Sequence, residues 1–271
     1  MSIATDLVGR RLLVLGGSAG IGRGIVLAAA RAGASVAVVG RDESKLSEVV
    51  AAAGNVLPIR ADLREPDLCR DVVEKAVKSL GGLDAVIVSS AKSSLAALAE
   101  EPVEQWLDLM TTNVIAPTLV TRAALEHLSE EGVLLYLSST SSTVDGGSHH
   151  GLGAYAASKA ALNRSIQAWR TERPDRRFVC MKIGDTGGTD VARDFDLERA
   201  QELFAKWLRA GLVSGAVMDP NDLGQTIVEV AALLLDHPAI TFPELMITPV
   251  GTVMAPDQIE ELMASVSMRD H

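Results

Sequence analysis

Two segments of the sequence carry groups that could perform redox chemistry on a nucleotide. Tyr155 and Lys159 lie four residues apart in a predicted helix, so a phenol and an ammonium share one helix face. The glycine-rich segment 15–22 follows an apolar run and opens a helical pattern, where the backbone can approach a phosphate group. Each pattern alone is a weak signal, but the two together indicate hydride chemistry on a dinucleotide.

The glycine-rich segment predicts a phosphate-binding turn. Gly16, Gly20 and Gly22 permit a tight turn and carry no Cβ that would hold a diphosphate away, and the next helix directs its N-terminus at the negative charge. Ser18 and Ile21 belong to the same predicted contact set. A strand–helix turn that binds nothing is the alternative, but the position of the segment between a strand and a helix favours nucleotide binding.

Composition restricts the partners and the compartment. The chain has 271 residues, 48% of them hydrophobic, and a formal net charge of −10 without a lysine- or arginine-rich block. We therefore expect a substantial core, and neither nucleic acid nor an anionic membrane surface as a partner. The N-terminus lacks the pattern of a signal peptide and the apolar runs are too short to span a bilayer, so the expected location is the cytoplasm.

The cysteines and histidines give no metal-binding pattern. Cys69 and Cys180 are too few and too far apart in sequence for a disulfide framework or a zinc site. The adjacent His149 and His150 have no carboxylate or cysteine pattern nearby, so we expect them to be exposed loop residues rather than ligands. No metal is predicted.

Short apolar runs alternate with longer helical patterns along the whole chain. The runs are apolar on both faces, as a parallel sheet covered by helices requires. This alternation predicts one α/β domain over residues 1–271, a doubly wound parallel sheet (Rossmann fold) with helices on both faces and ligands at the carboxyl ends of its strands. Residues 185–214 break the rhythm and could form a substrate lid or an ordinary surface helical pair. The predicted strands are 11–15, 35–39, 56–60, 85–88, 133–137, 178–183 and 245–248.

Five motifs, in this order along the chain, resemble the short-chain dehydrogenase/reductase family in its compact single-domain form. The resemblance covers nearly the whole chain, from about residue 7 to residue 251. Any single match would be unremarkable, but five in order are specific. The matching residues are the glycine turn, Asp62 with Leu63 as the adenine-contacting pair, Asn113 as the proton-relay residue, Ser138 with Ser139 at the end of the fifth strand, and Tyr155 with Lys159.

The resemblance implies a catalytic set of Asn113, Ser139, Tyr155 and Lys159. Ser139 and Tyr155 would hold a ketone oxygen while hydride reaches its carbon, and Tyr155 would exchange the proton. A free phenol titrates at about pH 10, and Lys159 with the positive nicotinamide ring is expected to lower that pKa. Lys159 would also hold the nicotinamide ribose, and Asn113 would anchor a water that links the lysine to solvent.

Two assignments in this set stay open. Ser139 follows the strand directly and is favoured as the catalytic serine, whereas Ser142 has the commoner spacing before Tyr155. The second open assignment is the threonine that contacts the cofactor after the sixth strand. The predicted contacts outside the glycine turn include Ala91, Gly184 and Thr186, with Thr189 as the alternative to Thr186.

The end of the second predicted strand bears on the choice of cofactor. A carboxylate at the strand tip would favour NAD, and an arginine would favour the 2′-phosphate of NADP. Gly40 holds the tip, Arg41 follows it, and Asp42 is better explained as a helix N-cap. The family's other basic position holds Ala19, so the prediction of NADP over NAD rests on Arg41.

The sequence also departs from the family pattern. Residues 89–92 read Ser-Ser-Ala-Lys where the family has Asn-Asn-Ala-Gly, and Lys92 could meet an acidic substrate or point to solvent. The predicted function is NADP(H)-dependent interconversion of a secondary alcohol and a ketone, with a small-molecule carbonyl or alcohol as substrate. The family also implies a homo-oligomer, a dimer or a tetramer. The alternatives are a non-catalytic dinucleotide-binding sensor or scaffold, and an epimerase that retains NAD.

Overall fold

The computed structural model describes residues 6–143, 149–188, 195, 197–212 and 216–251. Within these ranges, seven strands form one parallel sheet. The strands are β1 (Arg11–Leu15), β2 (Ser35–Gly40), β3 (Val56–Arg60), β4 (Leu83–Val88), β5 (Leu128–Ser139), β6 (Arg177–Ile183) and β7 (Glu244–Ile247). The helices are α1 (Gly20–Arg31), α2 (Glu43–Ala53), α3 (Pro66–Leu80), α4 (Val103–Met110), α5 (Ala116–Ala124), α6 (Gly153–Glu172), α7 (Leu197–Arg209) and α8 (Pro220–Asp236), with a π-helical turn at Thr111–Ile115 and a 3₁₀ turn at Thr140–Ser142.

Successive residues of the central strands point to opposite faces of the sheet and are buried on both. In β1, Leu12 and Val14 pack with apolar side chains of α1 and α8, whereas Leu13 and Leu15 pack with those of α3 and α5. The sheet therefore has a separate core on each face, covered by different helices. This arrangement confirms the predicted α/β fold with a doubly wound parallel sheet.

The order of the strands, β3-β2-β1-β4-β5-β6-β7, creates a crevice between β1 and β4. From β1 the chain builds outward through β2 and β3, and then crosses back to place β4 on the other side. In such sheets, ligands bind outside the carboxyl ends of the strands at this point of reversal. Backbone hydrogen bonds hold these ends together, since Gly16 N–H donates to the Val39 carbonyl and Ser89 N–H to the Leu15 carbonyl, both at 3.0 Å.

The observed strands match the predicted ones closely, with β5 as the main exception. It begins at Leu128 rather than at residue 133, because an irregular first part pairs with the start of β4 at Leu83, and it continues to Ser139. The predicted N-cap Asp42 accepts a hydrogen bond from Lys45 N–H at 3.2 Å. Among the helices of the described residues, none is long and apolar enough to cross a membrane.

Candidate active site

A cleft of about 390 Å³ opens at the carboxyl ends of β1, β2 and β4, where the fold places its ligand crevice. Its walls come from the glycine turn, the end of β2, and the loops that follow β3 and β4. The structure thus brings together residues from five separate segments of the chain, since Thr112 of the π-helical turn also lines the cleft. The predicted cofactor-binding residues that line the cleft are Gly16, Ser18, Gly20, Ile21, Gly22, Arg41, Asp62, Leu63 and Ala91.

The glycine turn is packed too closely to accept side chains. Gly16 has a φ of 72°, a left-handed conformation that favours glycine, and a Cβ there would lie 2.6 Å from Ser90 Cα. A Cβ on Gly22 would collide with the Gly16 carbonyl. The first turn of α1 has no side-chain cap and no acidic residue, so its N–H groups and partial positive charge are open to an anion in the cleft.

The hydroxyl of Ser90 supports the same interpretation. Ser90 lines the cleft beside the glycine turn, and its Oγ is buried without a hydrogen-bond partner among the described residues. A buried hydroxyl is costly to leave unpaired, which marks this position as one where a polar ligand group belongs. The uncapped helix end, the glycines and this hydroxyl together fit the diphosphate of a dinucleotide.

The tip of β2 excludes a carboxylate from the far end of the cleft. A Cβ on Gly40 would lie 2.8 Å from the Ser18 side chain, so no larger residue fits there. The Asp42 carboxylate is used to cap α2. Arg41 is exposed and lines the cleft. A guanidinium at this position suits a phosphate better than a ribose diol.

A chain of ion pairs that the sequence analysis did not predict lies along the rim of the cleft. Asp62 pairs with Arg64 at 2.6 Å, Arg64 with Asp108 of α4 at 3.4 Å, and Asp108 with Lys92 at 3.0 Å. Hydrogen bonds from Arg64 hold the pKa of Asp62 below its ordinary value, and the charge of Arg41 acts in the same direction. Lys92 therefore contacts Asp108, an arrangement that neither of its two predicted roles included.

Asn113 is fully buried in the π-helical turn between α4 and α5 and braces the loop after β4. Its side-chain oxygen accepts a hydrogen bond from Lys92 N–H, and its amide nitrogen donates to the Lys92 carbonyl and to Ser158 Oγ, all at 2.8 Å. Both amide hydrogens are thus used within the protein. The bond to Ser158 links Asn113 to the residue before Lys159, while its role in anchoring a water stays a prediction.

Ser139, Tyr155 and Lys159 converge where β5 ends and α6 begins. Ser139 is the last residue of β5, and its side chain lies close enough to Tyr155, in the first turn of α6, to lower the pKa of the phenol through hydrogen bonding. The Lys159 ammonium donates to the Leu137 carbonyl at 2.9 Å and lies 5.9 Å from the centre of the Tyr155 ring. Three of the four predicted catalytic residues are therefore neighbours.

Burial has the largest influence on the two ionisable groups of this cluster. It raises the pKa of the Tyr155 phenol, and the hydrogen bond with Ser139 acts in the opposite direction. It lowers the pKa of the Lys159 ammonium to about 8. The lowering expected from Lys159 acts together with the positive nicotinamide ring and stays a prediction. In the chain alone, removal from solvent outweighs the hydrogen bond with Ser139 and leaves the pKa of Tyr155 raised.

Ser142, the alternative catalytic serine, is engaged by other groups. Its hydroxyl donates to the Ser139 carbonyl at 2.5 Å and accepts from Asn163 Nδ2 at 2.8 Å. The Ser139 hydroxyl, in contrast, accepts from Ser141 N–H at 3.1 Å and contacts Tyr155. This geometry favours Ser139 over Ser142 as the partner of the phenol.

Gly184 and Thr186, the predicted cofactor contacts after β6, are not among the residues that line the cleft. Gly184 N–H donates to the Ile247 carbonyl at 2.8 Å, and a Cβ on Gly184 would lie 3.2 Å from Thr248. Thr186 Oγ1 donates to the Gly184 carbonyl at 3.0 Å. Thr189 lies outside the described residues. Gly184 thus permits close packing at the ends of β6 and β7, and its contact with a cofactor stays a prediction.

Helix α7, the described part of the predicted lid, is attached to the segment before α6. Trp207 Nε1 donates to the His150 carbonyl at 3.0 Å, and the His149 and Trp207 rings meet edge-on with their centroids 5.2 Å apart. The expectation that His149 is exposed is wrong, because its side chain is partly buried under α7, and this burial lowers its pKa. Residues 144–148 of the predicted loop, and residues 189–194, 196, 213 and 214 of the predicted lid, lie outside the described part of the chain.

Comparison with known proteins agrees with this geometry. The model of the short chain dehydrogenase family matches residues 10–200. The chain is 32% identical over 242 residues to an uncharacterized oxidoreductase of Methylorubrum extorquens, a match that covers 84% of this chain and 92% of the relative. It is 35% identical over 175 residues to a short chain dehydrogenase of Pseudocercospora fijiensis, covering 62% of this chain and 56% of that protein. The crystal structure of a short chain dehydrogenase from Burkholderia cenocepacia in complex with NADP matches with a TM-score of 0.75 and 25% identity, covering 90% of this chain and 98% of that one.

The parallel sheet and the family match place the chain among the dinucleotide-dependent oxidoreductases. Within that class, the chain belongs to the short-chain dehydrogenase/reductase family. It is accordingly an enzyme that acts on CH–OH groups with NAD(P).

Proposed function

We propose that this protein is an NADP(H)-dependent oxidoreductase that interconverts a ketone and a secondary alcohol of low molecular weight. The observation that carries the proposal is the convergence of Ser139 at the end of β5 with Tyr155 and Lys159 of α6, where the buried ammonium of Lys159 lies 5.9 Å from the centre of the phenol ring. A hydroxyl and a phenol that meet in this way can both direct protons at one carbonyl oxygen, where negative charge develops during reduction.

Proton transfer is the part of this reaction that the chain's own residues perform. When bound, the nicotinamide cofactor supplies or accepts the hydride at the substrate carbon. Ser139 Oγ accepts a hydrogen bond from Ser141 N–H, which leaves its own proton for Tyr155 and, when substrate is bound, for the substrate oxygen. Tyr155 gives its proton to the developing alkoxide in reduction and removes it in oxidation.

Lys159 stabilises the phenolate form of Tyr155 that this cycle requires. Its side chain is 2% exposed, so its charge acts through a weakly polar surrounding rather than through water. A pKa of about 8 also allows the ammonium to return a proton to the phenolate near neutral pH. In the reduction direction, Lys159 would therefore restore the proton that Tyr155 gives to the substrate.

The residues of the cleft fit NADP better than NAD. The turn from Gly16 to Gly22 would hold the diphosphate, and Asp62 with Leu63 would contact the adenine. Arg41 would bind the 2′-phosphate, because Gly40 leaves no room for a carboxylate and Asp42 is used as a cap. The Burkholderia cenocepacia relative, which was solved with NADP, supports the same choice.

Replacing Arg41 by Ala is expected to raise the KM for NADPH by about 10- to 100-fold, the effect of losing a charge-assisted contact to phosphate. The KM for NADH should stay unchanged, because that cofactor has no 2′-phosphate. Initial rates with each cofactor give both values. Arg70→Ala is the control, since Arg70 is an exposed arginine of α3 that does not line the cleft. An equal effect on both cofactors would refute the assignment of Arg41.

We also propose that the protein forms a homo-oligomer through α4 and the turn that follows it. Val103 and Leu107 of α4 are each 63% exposed, and Ile115 is 46% exposed. Apolar side chains at this spacing form one stripe along the helix, which favours burial against a second copy.

Helix α7 is our proposed wall of the substrate site, because the Trp207 side chain donates a hydrogen bond to the segment before α6.

Leu107→Glu is expected to shift the protein to a smaller assembly, because a charge on the proposed contact stripe would be buried without a partner. Size-exclusion chromatography with light scattering measures the mass. Leu233→Glu, at an exposed position of α8, is the control and should leave the mass unchanged. A mass that Leu107→Glu does not alter would exclude this face as the interface.

The function as a whole is tested by a panel of ketones and secondary alcohols assayed with NADPH and NADH side by side. We expect turnover of at least one ketone with a preference for NADPH. A preference for NADH would overturn the cofactor assignment, and tightly retained NAD released on denaturation would favour an epimerase.

A further inference from the structure

Hydrogen bonds that take no part in the proposed proton transfer connect the turn that carries Ser139 to α6. The Ser142 hydroxyl donates to the Ser139 carbonyl at 2.5 Å, which closes the 3₁₀ turn from its far end. Asn163 Nδ2 in turn donates to Ser142 Oγ at 2.8 Å. Ser142 is 8% exposed, so water competes weakly for these bonds. The position of Ser139 therefore depends on Asn163 through one intervening hydroxyl.

Asn163 continues the row that Tyr155 and Lys159 begin. The three residues are spaced by four along α6, so they lie on one face of the helix. Tyr155 contacts Ser139, Lys159 donates to a carbonyl of β5, and Asn163 reaches the turn after β5. One face of α6 thus carries the phenol, the ammonium and the Asn163 amide that binds the turn at 139–142.

Strand β6 fixes the orientation of the Asn163 amide. Cys180 Sγ donates to Asn163 Oδ1 at 3.3 Å. Burial raises the pKa of this thiol, so it remains a protonated donor. With its oxygen directed at the thiol, the amide turns its N–H groups toward Ser142. The Ser142 oxygen then accepts, and its proton is left for the Ser139 carbonyl.

We propose that Asn163 and Ser142 are positioning residues for the hydrogen bond between Ser139 and Tyr155. Loss of either link lets the turn at 139–142 move relative to α6, so the hydroxyl and the phenol separate. The expectation that this separation of hydroxyl and phenol slows catalysis rests on the proposed function. The geometry itself can be measured without turnover, through the ionisation of the phenol.

Tyrosinate absorbance in the ultraviolet reports this ionisation, because the chain has 2 tyrosines. In a Tyr136→Phe background, Tyr155 is the only tyrosine, and its titration can be followed alone. The groups that face it are the Ser139 hydroxyl, whose bond lowers the pKa of Tyr155, and the Lys159 side chain, which has a pKa of about 8 and is a neutral amine where the phenol titrates. Loss of the Ser139 bond is therefore expected to move the titration to higher pH.

In that background, Ser142→Ala and Asn163→Leu are each expected to shift the titration of Tyr155 to higher pH. The double variant should shift it no further than the larger single effect, since both residues act through one chain of bonds. Ser165→Ala is the matched control. It removes another hydroxyl of α6, which is bonded to the Ala161 carbonyl, and should leave the titration in place.

Kinetics then separate this inference from the proposed function. With an active wild type, kcat for ketone reduction should fall by about 10-fold or more in both variants while the KM for NADPH is kept, as for a misplaced reacting group. A shifted titration in a protein that turns over no substrate rejects the proposed function and retains the positioning role. An unshifted titration in Ser142→Ala, with folding shown by circular dichroism, overturns the positioning role even if Asn163→Leu fails to fold.

Discussion

Replacing Tyr155 by Phe is expected to lower kcat for ketone reduction by about 10³-fold, an effect within the range for loss of a general acid. The substitution removes the hydroxyl that bonds to Ser139 and keeps the ring beside Lys159. The proton donor is lost, whereas the glycine turn and Arg41 are untouched, so the affinity for NADPH should be largely kept. Single-turnover rates and a fluorescence titration with NADPH measure the two quantities.

The second tyrosine provides the control for this experiment. Tyr136 is 1% exposed in the core, where its hydroxyl meets Thr121 Oγ1 at 2.6 Å. Tyr136→Phe removes the same atom and should lower stability by about 1 kcal/mol, the worth of a buried hydrogen bond, with kcat kept. Equal losses of kcat in the two variants would show that the Tyr155 hydroxyl has no special role.

Replacing Lys159 by Met is expected to reduce kcat by about 10²- to 10³-fold, since both the stabilising charge and the proton source are lost.

The Lys159→Met variant should also be more stable than the wild type at pH 7. Its free energy of unfolding should rise by on the order of 2 kcal/mol, because burying an ammonium costs about 1.4 kcal/mol per unit of lowered pKa and the lost bond to Leu137 offsets about 1 kcal/mol. Urea unfolding of both proteins measures the difference.

The pH dependence of that difference follows from the lowered pKa of Lys159. The pKa is about 8 in the folded protein, against an ordinary value of 10.5. Between these values the unfolded chain binds more protons, so the wild type gains stability from this group as the pH rises. The advantage of Lys159→Met is therefore full below pH 8 and closes toward pH 10.5. A variant that is less stable than the wild type at pH 7 would contradict the cost assigned to this buried charge.

The fold could be predicted from the sequence because its signals are local. Apolar runs of strand length, helix stop signals such as Gly33, and the Asp42 cap each act within a few residues of chain, and the elements form where these signals lie. The irregular start of β5 does not stand out in the sequence, since residues 129–131 are polar and only the contact of Leu128 with β4 makes this segment part of the strand.

The candidate site was predictable where backbone position decides the geometry. The positions of the glycine turn and of Ser139 follow from strand ends that meet at one edge of the sheet, whereas the pairing of Ser139 with Tyr155 was implied by the family resemblance. The ion pairs from Arg64 through Asp108 to Lys92 could not be predicted, because they join side chains from three separate segments whose rotamers only the folded chain fixes. The burial of His149 under α7 likewise depends on contact between separate segments, so it could not be predicted either.

The position of Asn163, in contrast to these contacts, could have been recognised from the sequence. Its spacing of four residues from Lys159 repeats the spacing from Tyr155 to Lys159, so the helix period alone places it on the reactive face of α6. The identity of its partner, Ser142, needed the structure, since the length of the turn after β5 decides which serine faces which group.

Transfer of deuterium from NADPH to a ketone tests the central claim most directly. The cofactor would carry deuterium at the transferable position of its nicotinamide, and the ketone would be one that the panel identifies. We predict an alcohol with the deuterium on the carbinol carbon, formed by the wild type and by Tyr136→Phe, and almost none formed by Tyr155→Phe. Oxidation of NADPH without deuterium in the alcohol, or an undiminished yield from Tyr155→Phe, would contradict a Tyr155-dependent hydride transfer to a carbonyl.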